Sequence, residues 1–244
     1  SSGGLNLQSY SGAMTNSNSG ASIVPEDHAN SLLWQRVNNG QMPPGNNPDL
    51  SSDEINLIAQ WIDEGALETP NTEFQPQTKQ ELETAVDVWI NDNTVALSTY
   101  GDINTWDVSL ITNMSNLFAN KTTFNSDISN WDVSNATDMS GMFAVATNFN
   151  GIVGTWNVEN VTNMSGMFDS AISFNQDVGN WDVGNVTNMR GTFYGCSSFD
   201  QNLSNWDVSS VTDMNSMFNE CPQFEGEGLD TWNVSNVTDM SYMF

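Results

Sequence analysis

Apolar positions in the second half of the chain recur at a fixed interval. Tryptophan returns at Trp106, Trp131, Trp156, Trp181, Trp206 and Trp232, spaced 25, 25, 25, 25 and 26 residues apart. Valine follows two places on (Val108, Val133, Val158, Val183, Val208, Val234), methionine at Met114, Met139, Met164, Met189, Met214 and Met240, and phenylalanine closes the unit from Phe118 to Phe244. Self-similarity at such a period marks a stacked array, or solenoid. Within N-W-D-V-S the alternation has period two, which predicts a short strand with Trp and Val facing in and Asp facing out. Thr137 and its equivalents then cap a short helical turn through T-x-M-S-x-M-F. Stacked strands would repeat about every 4.8 Å.

Upstream the period changes to that of a helix. Thr78 and Glu81 form a capping box, and Leu82, Ala85, Val86, Trp89 and Ile90 follow at helical spacing. An open end of an array exposes a whole apolar layer, so Lys79–Asn91 is read as its cap. Residues 68–78, with two prolines and no period, read as a linker. Earlier still, Ser51 and Glu54 open a second capping box. Ile55, Ile58, Ala59 and Ile62 form its helical face, and Gly65 stands where a left-handed C-cap belongs. Glu26–Asn38 is expected to be helical, with Leu32, Leu33, Trp34 and Val37. Between these two segments lies a Pro/Gly loop, GQMPPGNNPDL, that carries Met42.

Charge narrows the partners. Thirty Asp and Glu oppose four Lys and Arg, for a net charge of -26. A phosphate backbone is repelled, which excludes nucleic acid, and an anionic membrane surface is disfavoured for the same reason. At 38% hydrophobic residues the chain has too much large apolar material for disorder. No apolar run approaches the length of a membrane span. The chain opens on Ser1-Ser2-Gly3-Gly4 and stops at a core column, so both ends read as cut from a longer protein.

Candidate chemistry is sparse. One histidine and two cysteines leave no Ser-His-Asp triad in the repeats and no standard Cys/His zinc set. Carboxylates are plentiful, but acid–base catalysis needs two of them in unlike environments, and repetition makes environments alike. The expectation is therefore a non-enzymatic protein. The column after each Trp (Asp107, Asp132, Asn157, Asp182, Asp207, Asn233) has two readings. Like charges on neighbouring strands destabilise, so the column is either a solvated acidic face or a calcium ladder through Asp107, Asp132, Asp182 and Asp207. The N-x-T/S triplets follow from the repeat itself and are not read as glycosylation sites. Cys196 and Cys221 share a column one repeat apart. They form either a rung-to-rung disulfide or a pair of small buried thiols.

Two resemblances add to this reading. GGLNLQSYSGAM, SGASIVPEDHANSLLWQRV, QMPPG and LSSDEINLIAQWIDEGA together resemble the distal part of a planctomycete-type cytochrome c domain. The resemblance implies that Met42 is an axial haem ligand where a CxxCH motif precedes it. No CxxCH stands in this chain, so no cofactor is expected in this fragment, and haem c belongs to a longer protein. The segment AVDVWI, the opening YGDINTWDVSLITNMSNLF and the columns after it resemble the 25- to 26-residue repeats of surface proteins related to the BspA-type leucine-rich repeats. That resemblance implies a secreted or surface-displayed, adhesive protein without catalytic residues.

The expected fold is α+β. It is a leucine-rich-repeat-like solenoid with one short strand and one short helical turn per repeat, behind an N-terminal helical cap and a small α-helical cytochrome c-like segment. Its divisions are 1–67 (truncated cytochrome c-like), 68–78 (linker), 79–101 (cap) and 102–244 (six repeats, the last truncated). The expected function is binding of a protein or matrix partner at the cell surface, outside the cell or in the periplasm, without membrane insertion and with lateral self-association as a further arrangement. The alternative is a surface c-type cytochrome for electron transfer that the repeats position.

Overall fold

The computed structural model describes residues 23–40, 50–63, 65–66 and 74–244. The chain divides into two units, Ser1–Thr72 and Glu73–Phe244. In the first, helix α1 (Leu32–Asn38) and helix α2 (Ser52–Asp63) follow a 3₁₀ turn at His28–Asn30. The expected helix over 26–38 is interrupted at Ser31, which is extended (φ -81, ψ 122). Its buried hydroxyl accepts from Val24 N at 2.7 Å and lies 3.0 Å from Asp27 O, so the side chain competes with the helical backbone pattern. Ser51 and Glu54 form the capping box: Glu54 N donates to Ser51 Oγ at 3.3 Å and Ser51 N donates to Glu54 Oε2 at 2.8 Å. A small core joins Ile23, Leu33, Val37, Ile62 and Ala66. Met42 lies outside the described residues.

The second unit begins with two helices, α3 (Lys79–Asn91) and α4 (Asn93–Tyr100). Asp92 ends the first and starts the second, its side chain accepting from Val95 N. The apolar stripe of α3 buries Leu82, Ala85 and Val86 against the first repeat. Trp106, the first tryptophan of the array, is enclosed by the rings of Phe74, Trp89 and Tyr100 at 5.2, 6.0 and 6.0 Å. Phe74 falls in the expected linker, yet its carbonyl accepts from Asp107 N at 3.0 Å, as a preceding coil would. Polar contacts fix the cap: Lys79 Nζ donates to Ser115 Oγ at 2.8 Å, Trp89 Nε1 to Ser126 Oγ at 2.9 Å, and Lys121 pairs with Asp87.

The repeats stack as coils, but they are not the expected α+β solenoid with a strand in each repeat. Among the described residues there is no extended strand and no sheet. The parallel contact is a single bridge residue per coil, Asn113, Asp138, Asn163, Asn188, Asp213 and Asp239 in turn. The expected strand at Trp-Asp-Val is replaced by turns. Trp106 N donates back to Ile103 O, Ile111 N to Val108 O, and Ser109 N to the Asp107 side chain at 3.0 Å. These local bonds occupy donors that a ladder would need. The expected helical turn is absent too. From Met114 on, alternate N–H groups go forward to the next coil (Met114 to Asp138 O, Asn116 to Ser140 O, Phe118 to Met142 O), and the intervening ones close turns (Leu117 to Met114 O, Ala119 to Asn116 O). The turn closed by Leu117 and the one closed by Lys121 N on Phe118 O have positive φ at their third residue. Two columns supply it: Asn116, Gly141, Gly166, Gly191, Ser216 and Tyr242, and Asn120, Val145, Ser170, Gly195 and Glu220.

Side chains stack in the same register. Phe118, Phe143, Phe168, Phe193 and Phe218 follow one another at 5.2 to 5.6 Å with near-parallel rings. A second column runs Phe124, Phe149, Phe174, Phe199, and the two pair within each coil at 3.9 to 4.1 Å. Trp106 to Trp206 are buried, and indole N–H groups donate to the preceding coil, as from Trp131 to Ile103 O at 2.7 Å. In the last coil Phe244 is 70% exposed.

Val145 is a β-branched residue held at φ 61 and is partly exposed. A left-handed conformation costs an L-residue roughly 1–2 kcal/mol that glycine avoids. Val145→Gly is therefore expected to stabilise the stack by about 1 kcal/mol in urea unfolding, whereas Val158→Gly, which empties a buried column, destabilises it.

Candidate functional site

Most polar positions of the stack are committed to the fold. In the column after Trp, each side chain accepts from the backbone N–H two residues on: Asp107 from Ser109, Asp132 from Ser134, Asp182 from Gly184 and Asp207 from Ser209, at 3.0 to 3.1 Å. Asn157 and Asn233 do the same. Asp and Asn both make this turn, which explains why they alternate in the column. The bridge column repeats the device, from Asn113 accepting Ser115 N to Asp239 accepting Ser241 N. Asn125, Asn150 and Asn175 each accept from the next coil's backbone at 2.8 to 2.9 Å. The asparagines of the N-x-T triplets donate backward, Asn160 to Ser134 O and Asn185 to Glu159 O, both at 2.8 Å.

The candidate calcium residues Asp107, Asp132, Asp182 and Asp207 thus stand in one column, and each has an oxygen in a turn. No group of three or more His, Cys, Asp or Glu side chains able to hold a metal is present among the described residues. The turns also act on acidity. Ser209, through its hydroxyl and its backbone N–H, holds the Asp207 carboxyl below the ordinary aspartate range, and Ser109 does so for Asp107.

Cys196 and Cys221 are free thiols. Cys196 Sγ lies 2.9 Å from Phe168 O and Cys221 Sγ 2.7 Å from Phe193 O. Each thiol therefore donates to the coil before it, which leaves the two side chains parallel. Burial raises both thiols, Cys196 well above its ordinary value and Cys221 to about 11.

Against this background, a surface on the third to fifth coils departs from the repeat. The column holding Ser115, Ser140, Ser165 and Ser241 carries Arg190 and Asn215 in the fourth and fifth coils, and the column of Ala119 and Ala144 becomes Asp169, Tyr194 and Asn219. Asp169, Arg190, Tyr194 and Asn215 line one groove of about 430 Å³ with Ser165 and Ser216, and Gly166 and Gly191 add no side chain to its floor. Their positions are fixed by coil-to-coil bonds: Gly166 N to Arg190 O and Gly191 N to Asn215 O at 2.8 Å, and Ser170 N to Tyr194 O at 2.6 Å. Ser170 Oγ donates to Asp169 Oδ1 at 2.7 Å, and Asn215 Nδ2 donates to Asp239 Oδ2 at 3.2 Å. The Glu220 carboxylate raises the Tyr194 hydroxyl. Lys79 and Lys121 are in ion pairs; among the described residues of the stack, Arg190 is the base that forms none. Sequence reading missed this groove. The signal was there, in polar and aromatic residues at columns that are otherwise Ser and Ala.

In the first unit, His28 is held by Asp63, Nδ1 to Oδ2 at 2.6 Å, and its ring meets Trp34 edge-on at 4.6 Å. The backbone N–H and side chain of His28 lower the Asp63 carboxyl. The chain's first cysteine is Cys196. The residues of the first unit therefore do not fit covalently attached haem by themselves.

The stack, its cap and this non-repetitive groove define a repeat protein. The chain belongs to the family described as Mycoplasma protein of unknown function, DUF285, whose model matches residues 89–195 and 175–244. A family model described as Planctomycete cytochrome C matches residues 1–46. No curated protein and no solved structure matches the chain. No described helix is long and apolar enough to cross a membrane.

Two outcomes test the local chemistry. Denatured, unreduced protein is expected to show two free thiols per chain, while in the native protein at pH 8 both resist alkylation, because raised thiols hold little thiolate. The depressed Asp207 contributes stability that is present above its unfolded value, roughly 3.9, and lost as pH falls through its lower folded value. Asp207→Asn keeps the turn without the titration, so urea unfolding from pH 6 to 2 should show a smaller acid loss in the variant; an unchanged acid limb would remove the assigned role.

Proposed function

We propose that this chain is a non-enzymatic, surface-displayed repeat protein that binds a partner through the differentiated face of its stack. The observation that carries the reading is the clustering of Asp169, Arg190, Tyr194 and Asn215 around one groove. Many other polar positions are tied into turns and coil-to-coil bonds, whereas Arg190 is exposed without an ion pair and Asp169 keeps a second carboxylate oxygen for recognition. The surface setting rests on the resemblance to BspA-type surface repeats, and the net charge of -26 keeps such an array from nonspecific contact with phosphate-rich polymers. Adhesion to a protein or extracellular matrix is the activity this arrangement suits. Brief protease treatment of intact source cells is expected to remove the repeats from the cell-associated pool, and the purified chain is expected to bind surfaces coated with extracellular-matrix components. Complete protection in intact cells that disappears on lysis would refute the surface assignment.

A second reading follows from the match of residues 1–46 to the cytochrome model. It makes the protein a surface electron carrier, with Met42 giving a thioether to haem and the repeats acting as a docking module. It requires attachment cysteines outside these residues. The protein purified from its source would then show a haem absorption band that persists after denaturation in acid acetone; extraction of all colour, or none at the outset, would rule it out.

A further inference from the structure

Within a repeat protein the copies serve as internal controls for one another. A residue that differs from its column without serving packing has been placed there for another reason. Rung four departs on the surface at Arg190 and Tyr194, and the flanking coils contribute Asp169 and Asn215 to the same groove. Asp169, Arg190 and Tyr194 fill no place in the core, whereas Asn215 is buried and ties its coil to the next through Asp239. The buried change on the same rung, Thr192 in a column of methionines, is satisfied internally by Met164 O at 3.1 Å and Met189 O at 2.8 Å.

The groups define the chemistry of an occupant. An exposed guanidinium with no ion pair offers several donors. Asp169 offers an acceptor and is oriented by Ser170, while Asn215 is buried, held by Ser216 and Asp239, and shapes the groove wall. Tyr194 adds a partly buried ring. The glycines at Gly166 (φ 61) and Gly191 (φ 58) keep the floor free of side chains while meeting the turn requirement. Paired donors and acceptors beside an aromatic face match adjacent hydroxyls and the C–H face of a pyranose ring. The volume of about 430 Å³ lies in the range of small-molecule sites, roughly 300–1,000 Å³. The occupant's charge is limited by Asp169, Glu220 and Asp239, which surround the groove and oppose an anionic sugar.

We infer that this groove binds a neutral saccharide, one or two hexose or N-acetylhexosamine units of a glycan, with Arg190 and Asp169 hydrogen-bonding its hydroxyls and Tyr194 stacking on its ring. The assignment rests on the surface-binding reading and names the partner's chemical class.

The test uses the whole chain on a panel of immobilised neutral and acidic oligosaccharides of two to four units, followed by calorimetric titration with the best neutral binder. Arg190→Ser and Tyr194→Ala each restore the residue that other coils carry, so the fold is expected to tolerate them and the melting temperature to stay unchanged. Neutral saccharide binding by the parent chain that weakens about tenfold or more in each variant supports the site. Binding to no neutral saccharide, binding only to acidic ones, or equal binding by parent and variants overturns it. Parallel measurement on matrix-coated surfaces separates the two readings. Attachment there without saccharide binding removes the glycan assignment and leaves surface binding in place, while failure on both surfaces removes both.

Discussion

Registration between coils is the constraint on which the stack depends. Thr137 N reaches Thr112 O and Thr162 N reaches Thr137 O, each across 25 residues, while Met114 N and Phe118 N reach forward across 24. A slip of one residue would break these bonds and move each phenylalanine out of its column. Side-chain hydrogen bonds tie into the same register, with indole donors of Trp131, Trp156, Trp181 and Trp206 all reaching carbonyls 28 residues earlier. The one 26-residue interval is absorbed before Trp232. Gly226 (φ 79), Gly228 (φ 88) and the 3₁₀ turn Leu229–Thr231 occupy that return segment, and the indole of Trp232 then reaches Leu203 O, 29 residues back. Beyond it the ladder resumes, with Thr238 N on Thr212 O.

Because backbone and side-chain donors are matched coil by coil, the acidic and amide columns are structural. An aspartate that accepts from the residue two places on shapes a turn whether or not it is charged, and asparagine replaces it freely. That freedom explains a large negative charge without a metal cluster among the described residues. It also concentrates functional meaning in the few positions that break the pattern. Arg190 and Tyr194 stand where other coils carry Ser and Ala, and the frame holds them beside Asp169 and the buried Asn215.

The cap shows how an array is closed at one end. Helix α3 lays an apolar stripe on the first coil, and Phe74 supplies the carbonyl that Asp107 N requires. Trp106 is therefore as enclosed as Trp156, although no earlier repeat precedes it. In the last coil Val234, Met240 and Phe244 lie exposed, because burial of these columns depends on the coil that follows.

The amino-acid order by itself determined the period, the columns, the two capping boxes and the apolar stripe of α3, since these depend on local spacing. The same order could not show that Trp-Asp-Val would turn instead of extending. Alternation of period two is common to a strand and to a chain of tight turns; the competition between Asp107 and a neighbouring coil for Ser109 N is decided only when the coils are stacked. The positive-φ columns were equally hidden, because Asn116, Val145, Ser216 and Tyr242 occupy them beside glycines and only the register forces their conformation. The groove was legible residue by residue as departures from the columns, but not as a site. Asp169, Arg190 and Asn215 are more than twenty residues apart in sequence, and the stacking of three successive coils is what makes them neighbours.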